Sequence, residues 1–488
     1  MATSTFVNRK KELNDLISVI TRKKPSLVNM YGRRRIGKTT LLKEVMNQCE
    51  NEIKIIYFVF YEGDSERQLQ QLYKAIMEQY PEDSSLQTLT PTSWQALFEF
   101  MFSLKEPTII ILDEFPYIVN TEPSIPSLLQ NCWDKWHNQT QLQLIVCGSS
   151  VSVMKDLMGS KQPLYGRFTH ISIILQMEFM DTRLFNLNSD FLTQIYAYLI
   201  FGGVPYYYKN KTFRDQNDIL LSIFSILTTF RNEILINIGM SVQNITNYFS
   251  ILYAISQGKH TYSKIEQATK ISSNLTHYLN TLIEIGLIER KKLFSEENMS
   301  KNTRYVIIDR FTAFWFRFFY GHDRELTLLS SEVFIKTFVQ PVLDEFLSFP
   351  FEDFCHQMIT TLSLQGFFVE PIVNITNHAG VFHDMTTKMK KDYEIDIVAG
   401  GLQKKVLLLG ECKWTNRVNE REIKELIEYS TYFQLQYGKY VKKFQEVELV
   451  FFSRNKVSKP LQEKYRNVKF IDMLKLEELL NAIISKTK

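Results

Sequence analysis

The sequence predicts an α/β protein that begins with a doubly wound sheet of parallel strands. Apolar runs alternate with helical stretches from residue 25 to about residue 175, which is the pattern of strands joined by crossover helices. The runs are rich in β-branched and aromatic residues and show little polar alternation, as in strands that are buried on both faces. A glycine-rich turn follows the first run. In such sheets, ligands bind at the carboxyl ends of the strands.

The glycine-rich turn reads Gly32-x4-Gly37-Lys38-Thr39, and it lies between an apolar run and an amphipathic helix. The glycines let successive N–H groups point at phosphate oxygens, and the N-terminus of the helix adds a partial positive charge. In this pattern, Lys38 reaches the β- and γ-phosphates and the Thr39 hydroxyl holds Mg²⁺. The residues predicted to bind the nucleotide here are Gly32, Arg33, Arg34, Arg35, Ile36, Gly37, Lys38, Thr39 and Thr40. The sequence therefore predicts a P-loop NTPase core that binds ATP with Mg²⁺.

The other elements of this core follow from the same periodicities. Helical spacing of apolar residues predicts a first helix that ends before Pro25, and further helices over residues 66–80 and 94–104. The apolar and aromatic run over residues 53–60 predicts a second strand.

A further strand beginning at Thr108 delivers Asp113 and Glu114 to the carboxyl end of the sheet. We expect Asp113 to bind the Mg²⁺ of the nucleotide through water and Glu114 to polarise the attacking water. The alternative is that the two acids only cap the helix that follows Pro116.

Two more polar positions are candidates for the nucleotide site. The strand over residues 141–150 ends in Ser149 and Ser150, which either sense the γ-phosphate or cap the next helix. Arg167 precedes the strand over residues 169–175. It either neutralises charge in the transition state or is a solvated loop arginine.

The middle of the chain predicts a helical lid followed by a winged helix. Helical spacing covers residues 189–200 and 216–238. Three short helices, a stop at Gly286 and two strands then follow up to residue 308. The positions predicted to contact DNA are Ser273, Asn274, Thr276 and His277 on the third helix and Lys291, Lys292, Lys301 and Arg304 in the wing. Because acidic residues dilute the charge of the wing, both DNA reading and an internal packing or switch role stay open.

Aromatic residues are dense over residues 311–320, and we expect them to form a buried cluster and not a base-stacking surface. The stretch after Glu325 predicts a helical connector that ends at Pro350.

Past Pro350, two strands bring Asp396, Glu411 and Lys413 to one locale. Carboxylate oxygens bind Mg²⁺ or Mn²⁺, the metal activates water, and an adjacent lysine steadies the phosphate charge. The alternative is an edge-strand ion pair between Glu411 and Lys413. His356, His378 and His383 lack zinc-ligand spacing, and we expect them to be structural.

Composition narrows the class of protein. The 57 Lys and Arg residues against 53 Asp and Glu residues give a net charge of +4, too weak to indicate nucleic-acid binding by itself. The five cysteines are scattered and have no C-x-x-C spacing, so neither a disulfide framework nor a structural zinc site is expected. No apolar segment is long enough to span a membrane, and we expect a cytoplasmic protein without a membrane partner.

Several segments together resemble the archaeal-type ATPase family of AAA+/STAND-like NTPases. They are Phe6-x-x-Arg9-x-x-Glu12-Leu13, the P-loop, Leu112-Asp-Glu-Phe-Pro116, Gly148-Ser-Ser150, Tyr165-Gly-Arg167 and Phe201-Gly-Gly-Val-Pro205. The resemblance implies that Gly202, Gly203 and Pro205 lie in a helical lid near the nucleotide and couple its state to the position of the lid.

The segment Asp396-x14-Glu411-x-Lys413 resembles the PD-(D/E)XK nuclease signature. This resemblance implies that Glu352 is a further acid of the metal site, beside Asp396 and Glu411, with Lys413 as a catalytic residue. The implied domains are an ATPase core (1–175), a lid (176–240), a winged helix (241–325), a connector (326–350) and a nuclease-like α/β domain (351–488).

Two functions follow from these expectations. The first is an ATPase whose nucleotide state gates a Mg²⁺- or Mn²⁺-dependent DNA nuclease. The alternative is a STAND-like nucleotide switch or scaffold, in which an inactive nuclease fold binds nucleic acid or a protein partner. A second copy of the chain or another protein is a partner expected at the winged helix.

Overall fold

The computed structural model describes residues 6–22, 24–49, 53–80, 91–209, 211–239, 245–294, 303–383 and 390–487. The chain divides into two units. The first contains Met1–Phe185, Gly203–Lys211 and Glu284–Gly286; the second contains Asn186–Gly202, Thr212–Ile283 and Leu287–Lys488. No helix in the described ranges is long and apolar enough to cross a membrane.

The first unit is built on a sheet of five parallel strands in the order β2-β3-β4-β1-β5. The strands are β1 (Ser26–Tyr31), β2 (Lys54–Val59), β3 (Thr108–Asp113), β4 (Leu142–Gly148) and β5 (His170–Ile173). The predicted parallel sheet is confirmed, and β4 lies between the P-loop strand β1 and the acidic strand β3.

Helices cover both faces of this sheet. They are α1 (Lys10–Ile20), α2 (Lys38–Cys49), α3 (Ser65–Met77), α4 (Trp94–Ser103), α5 (Pro116–Thr121), α6 (Ile125–Trp136), α7 (Val151–Asp156) and α8 (Phe179–Thr182). Leu27 packs into the core that contains α3, α4 and α6, whereas its neighbour Val28 packs into the core that contains α1 and α2. Successive side chains of a strand point to opposite faces, so the continuous apolar runs follow from burial on both sides.

The second unit begins with helices where the lid was predicted. They are α9 (Phe191–Phe201), α10 (Gln216–Phe224) and α11 (Leu227–Gly239). The winged-helix elements follow, namely α12 (Ile245–Ser256), α13 (Tyr262–Thr269), α14 (Leu275–Glu284) and the antiparallel hairpin of β6 (Ile288–Lys292) and β7 (Thr303–Ile307). The predicted Lys301 lies outside the described residues.

Next come α15 (Arg310–Phe318), α16 (Asp323–Leu328), α17 (Ser331–Phe334), a π-type turn (Ile335–Val339) and α18 (Gln340–Leu364). The aromatic side chains of α15 are buried, as predicted. The expected helix end at Pro350 is wrong, because α18 continues through it. Proline in a helix interior costs about 3 kcal/mol. Buried Leu347, Phe351 and Phe354 offset that cost, at about 1.5–3 kcal/mol for each large apolar side chain.

The last part of the second unit is a mixed sheet in the order β12-β11-β10-β9-β8. Its strands are β8 (Asn374–His383), β9 (Lys390–Gly400), β10 (Val406–Lys413), β11 (Glu446–Ser453) and β12 (Val468–Asp472), with helices α19 (Glu420–Gln436), α20 (Gly438–Val441), α21 (Lys459–Lys464) and α22 (Met473–Thr487). Strand β10 is central, pairing with β9 antiparallel and with β11 parallel.

Candidate nucleotide site and candidate metal centre

The P-loop connects β1 to α2, as the sequence predicts. A Cβ atom on Gly32 would lie 2.3 Å from the Ile174 carbonyl oxygen, so only glycine fits there. Gly37 has a φ of 93°, which glycine adopts without strain. The Lys38 Nζ donates to the Gly32 and Arg33 carbonyls at 2.8 and 3.0 Å. Burial lowers the pKa of Lys38. The ammonium therefore lies inside the loop, while Thr39 and Thr40 are exposed at the start of α2.

Thr39 and Asp113 are joined directly. The Thr39 Oγ1 donates to the Asp113 Oδ2 at 3.0 Å, and the Tyr57 hydroxyl donates to the same oxygen at 2.7 Å. A hydroxyl and a carboxylate held together are the hard oxygen donors that Mg²⁺ prefers, so these residues fit the predicted ion. Tyr57 was not identified from the sequence, because it reads as one of several large residues in an apolar strand.

Glu114 and Ser149 form the second contact at this end of the sheet. The Ser149 Oγ donates to the Glu114 Oε2 at 2.8 Å. Glu114 has a φ of 52°, a conformation that costs a non-glycine residue about 1–3 kcal/mol and occurs often at functional sites. Arg34 of the P-loop donates to the Tyr117 hydroxyl at 3.1 Å and approaches Ser149 at 3.5 Å. Ser150 stands before α7 but makes no side-chain capping hydrogen bond.

Arg167 has a different partner. Its guanidinium donates to both carboxylate oxygens of Asp134, at 2.8 Å each, and to the Tyr165 carbonyl at 3.0 Å. The side chains of Arg167 and Asp134 are 27% and 48% exposed. Such surface pairs contribute only about 0–1 kcal/mol. A role of Arg167 in catalysis stays a prediction, and it requires this ion pair to open.

Arg9 holds the P-loop from outside. Its Nη2 donates to the carbonyl oxygens of Ile36 and Leu175, both at 2.8 Å, and its Nη1 pairs with Glu12 at 3.0 Å. Arg9 is 6% exposed. The guanidinium therefore ties the loop to the chain just after β5. Arg9 belongs to Phe6-x-x-Arg9-x-x-Glu12-Leu13, the first of the segments that resemble the archaeal-type ATPase family. No role was predicted for Arg9 from the sequence.

The segment after the double glycine also lies at the P-loop. A Cβ atom on Gly203 would lie 1.8 Å from the Met177 carbonyl oxygen, so a side chain is excluded there. The Pro205 Cγ lies 3.9 Å from the place of a Cβ atom on Gly37. The Arg35 guanidinium lies 4.1 Å from the centre of the Tyr206 ring. The segment Gly203–Lys211 therefore belongs with the P-loop in the first unit.

In the second unit, β9 and β10 place Asp396 beside Glu411 and Lys413. Asp396 is buried, and its Oδ2 accepts a hydrogen bond from the Cys412 N–H at 2.9 Å. Lys413 forms an ion pair with Glu411. The pair was also the alternative interpretation, but β10 is not an edge strand and the Glu411 side chain is only 12% exposed.

Glu352 reaches the same region from α18. Its Oε2 accepts a hydrogen bond from the Asn377 side chain at 2.8 Å. Burial, followed by the nearby Asp396 carboxylate, raises the pKa of Glu352 well above its ordinary value. Burial and Asp396 likewise raise the pKa of Glu411. Burial also raises the pKa of Asp396, against the opposing field of Lys413.

These three carboxyl groups have the chemistry of a divalent-metal site, because a cation relieves both their desolvation and their mutual repulsion. Within the described ranges, however, no three His, Cys, Asp or Glu side chains are already arranged to hold a metal ion. Glu352, Asp396 and Glu411 instead bond to Asn377, the Cys412 N–H and Lys413. The donor set fits a metal, and occupying it requires these side chains to turn.

Of the three histidines predicted to be structural, His356 and His378 contact protein groups. The His356 Nε2 contacts the Asp396 carbonyl at 2.7 Å, and the His378 Nε2 contacts the Tyr393 hydroxyl at 3.1 Å. These contacts are consistent with structural roles.

The wing of the winged helix packs against the C-terminal sheet. Lys291 pairs with Asp353 at 2.5 Å, and Arg304 pairs with Glu394 at 2.5 Å. The Phe294 N–H donates to the Asn377 carbonyl at 2.8 Å. Two of the predicted phosphate-binding cations are thus used inside the second unit, which favours the packing interpretation for the wing. The predicted reading positions Ser273, Asn274, Thr276 and His277 are exposed.

Comparisons with known proteins cover most of the chain. Residues 6–210 match the family model of an ATPase domain predominantly from Archaea. Residues 315–426 match a family described as "Archaea bacterial proteins of unknown function". An uncharacterized protein of Methanocaldococcus jannaschii is 29% identical over 431 residues, which are 86% of this chain and 90% of that protein. An uncharacterized ATP-binding protein of the same organism is 49% identical over 41 residues, which are 8% of this chain and 70% of that protein.

Two solved structures are similar at low identity. The Walker-type ATPase of Pyrococcus abyssi has a TM-score of 0.45 and 18% identity, over 64% of this chain and 96% of that one. The Aeropyrum pernix ORC2 protein, in its ADPNP–ADP complexes, has a TM-score of 0.43 and 12% identity, over 70% of this chain and 93% of that one. The family match over residues 6–210 covers the P-loop and the acidic strand β3, and it supports ATP binding and hydrolysis by this part of the chain.

Proposed function

We propose that the protein hydrolyses ATP at its P-loop and that its nucleotide state controls a metal-dependent DNA nuclease in residues 351–488. The observation that carries the second part is the set of three clustered carboxyls, Glu352, Asp396 and Glu411, with raised pKa values. Lys413 is the ion-pair partner of only one of these carboxyls, Glu411, and clustering three such groups around one ammonium adds no stability. A function that brings a cation and a phosphodiester to them accounts for the arrangement.

At the P-loop, Lys38 leaves the Gly32 and Arg33 carbonyls and binds the β- and γ-phosphates, while Thr39 and Asp113 hold the Mg²⁺ of ATP. Glu114 orients the attacking water. Ser149, which bonds to Glu114, is placed to report the γ-phosphate to that carboxylate. The Gly203–Lys211 segment at the loop is the route by which we infer that nucleotide state reaches the lid.

At the C-terminal site, Glu352, Asp396 and Glu411 would hold Mg²⁺ or Mn²⁺. A bound ion there supplies an activated water and neutralises the phosphate charge. Lys413 leaves its ion pair with Glu411 and steadies the scissile phosphate. Exposed polar residues at the start of α14, such as His277 on the helix and Asn274 just before it, offer the contact to DNA.

The test is to incubate the purified chain with plasmid, linear and single-stranded DNA, with and without ATP and with Mg²⁺ or Mn²⁺. We expect cleavage that needs the metal and changes with ATP. The matched variants are Lys38→Ala, which removes the phosphate cation, and Lys413→Ala, which leaves the P-loop unchanged. If the parental chain cleaves none of these DNAs under any condition while it hydrolyses ATP, the nuclease proposal is wrong.

A second candidate is a nucleotide switch or scaffold in which the C-terminal fold is inactive. The ion pair between Lys413 and Glu411 favours it, because one carboxyl of the cluster is then occupied by a protein partner. The docking of the wing favours it as well, because Lys291 faces Asp353 and not a phosphate. A switch binds DNA or a protein partner in one nucleotide state without cutting, and this outcome separates it from the nuclease.

A further inference from the structure

A cavity of about 550 Å³ lies within the second unit. The winged helix forms one wall, while α15, α18 and the start of β8 form the others. Pockets that hold small ligands measure about 300–1,000 Å³. The volume of the cavity is therefore large enough for one small molecule and too small for a nucleic-acid duplex.

Five basic side chains line the cavity, and two of them form no ion pair within the described part of the chain. The five basic residues are Lys291, Lys292, Arg304, Arg310 and Arg317. Lys291, Arg304 and Arg317 approach carboxylates of Asp353, Glu394 and Glu345. Lys292 and Arg310 form no ion pair with any residue that the structure describes. The Arg310 Nη1 donates to the Tyr198 carbonyl at 3.2 Å, and its guanidinium lies 4.6 Å from the centre of the Tyr198 ring.

The wall also carries four acidic residues, Glu289, Glu345, Glu352 and Asp353. Asp353 and Glu345 face Lys291 and Arg317, and Glu352 accepts a hydrogen bond from the Asn377 side chain at 2.8 Å. These contacts leave Lys292 and Arg310 as the basic side chains of the wall that have no carboxylate partner among the described residues.

The cavity also has an apolar side. Leu199, Ile255, Ala313, Phe346, Phe349 and Pro350 supply an apolar side to the cavity. Phe349 lies in α18 between the buried residues Leu347 and Phe351, yet its side chain is 44% exposed. An exposed ring in a concave wall offers a surface on which a flat base stacks, with about 1–3 kcal/mol for each base.

We propose that this cavity binds a mononucleotide, with the base on Phe349 and the phosphate between Lys292 and Arg310. Arginine and lysine are the usual phosphate partners, and the guanidinium of Arg310 keeps donors available beyond its contact with Tyr198. Inorganic phosphate can contact Lys292 and Arg310 but has no base to stack on Phe349. The cavity is separate from the P-loop, but its wall shares Glu352 with the proposed metal centre, so nucleotide binding is tested without a divalent metal.

The experiment uses the full chain carrying Lys38→Ala, so that binding at the P-loop is removed. Isothermal titration is run separately with AMP, GMP, ADP and inorganic phosphate. We expect at least one nucleotide to bind with one site per chain and phosphate alone to bind at least about tenfold more weakly, because it lacks the stacking contact. If no nucleotide binds to the Lys38→Ala chain, the proposal is wrong.

Variants locate the site. Lys292→Glu, at an exposed position, should weaken binding by about tenfold or more through loss of a charge-assisted contact, and Phe349→Ala should weaken it through loss of stacking. Arg310→Lys keeps the charge and tests whether the planar guanidinium matters. Lys442→Glu is the matched control, since this exposed lysine of the second unit lies outside the cavity wall. Nucleotide binding that is equal in Lys292→Glu, Phe349→Ala and Lys442→Glu would place the ligand elsewhere and overturn the proposal.

Discussion

The Ser149 hydroxyl donates a hydrogen bond to the carboxylate of Glu114 at 2.8 Å. Ser149 directly follows β4, and Glu114 directly follows β3. Because β3 and β4 are neighbouring strands, their ends bring the two residues together. Ser149 thus holds the group that we expect to orient the attacking water. Arg34 approaches Ser149 from the P-loop, which links this contact to the phosphate site.

We expect Ser149→Ala to lower the kcat of ATP hydrolysis by roughly tenfold with little change in KM, because one orienting hydrogen bond is worth about 1–1.5 kcal/mol. Glu114→Gln should lower kcat much further while ATP binding persists. Steady-state kinetics and a nucleotide-binding titration of both variants measure the difference. Parental turnover in Glu114→Gln would show that another group orients the water.

Our second prediction concerns Lys291 in the wing. Because Lys291 and Asp353 are 37% and 43% exposed, a double-mutant cycle with Lys291→Gln and Asp353→Asn should give a coupling of only about 0.5 kcal/mol in unfolding. Lys291→Gln should leave the salt dependence of DNA binding unchanged, since the ammonium faces a carboxylate. A salt slope that becomes about one unit shallower would instead place Lys291 on a phosphate.

Local patterns predicted the elements and the P-loop, but not the contacts between distant parts of the chain. The strand before Gly32 and the helix after Lys38 follow from periodicity, which is a local property. Arg9 reaches Ile36 and Leu175, and Lys291 reaches Asp353, across long stretches of sequence. Such pairings depend on how elements pack, and no spacing rule encodes them.

Local patterns also explain which parts of the C-terminal site could be predicted from the sequence and which could not. Asp396, Glu411 and Lys413 were found because alternation along a strand places them predictably. Their hydrogen-bond partners were not predicted, since Asn377 and the Cys412 N–H come from the folded arrangement. The predicted helix end at Pro350 was wrong for a related reason. The local cost of a proline inside a helix is outweighed by the burial of apolar side chains along α18.

Our third prediction uses His378, which is 2% exposed and surrounded by Phe294, Tyr393, Phe433 and Tyr437. Burial lowers its pKa from 6.5 to about 4. The unfolded chain therefore binds the proton more readily than the folded chain between these values, and stability falls as the pH falls. The full effect is roughly 3 kcal/mol, at about 1.4 kcal/mol for each pKa unit.

We expect the free energy of unfolding of the parental chain to decrease more steeply from pH 6.5 to 4 than that of His378→Gln. Urea titrations at several pH values measure both slopes. The variant is less stable at pH 7, because its packing among the rings is lost, so the slopes and not the absolute values are compared. Equal slopes would show that the pKa of His378 is the same in the folded and the unfolded chain, so that burial does not lower it.

The last prediction separates the roles of Asp396 and Lys413. Asp396→Ala should abolish Mn²⁺ binding in the second unit, because two carboxylates remain and a hard cation loses a large part of its ligand charge. Lys413→Ala should instead retain Mn²⁺ binding or strengthen it, since it frees Glu411 from its ion pair, yet it should remove DNA cleavage. Titration without nucleotide of the full chain carrying Asp113→Asn reports the second unit, because this change removes the carboxylate that would hold the ion at the P-loop. ATP hydrolysis, measured with Asp113 intact, should persist in both variants because the P-loop belongs to the first unit. Mn²⁺ affinity that is unchanged by Asp396→Ala would place the metal elsewhere, and the switch function would then be the better account of residues 351–488.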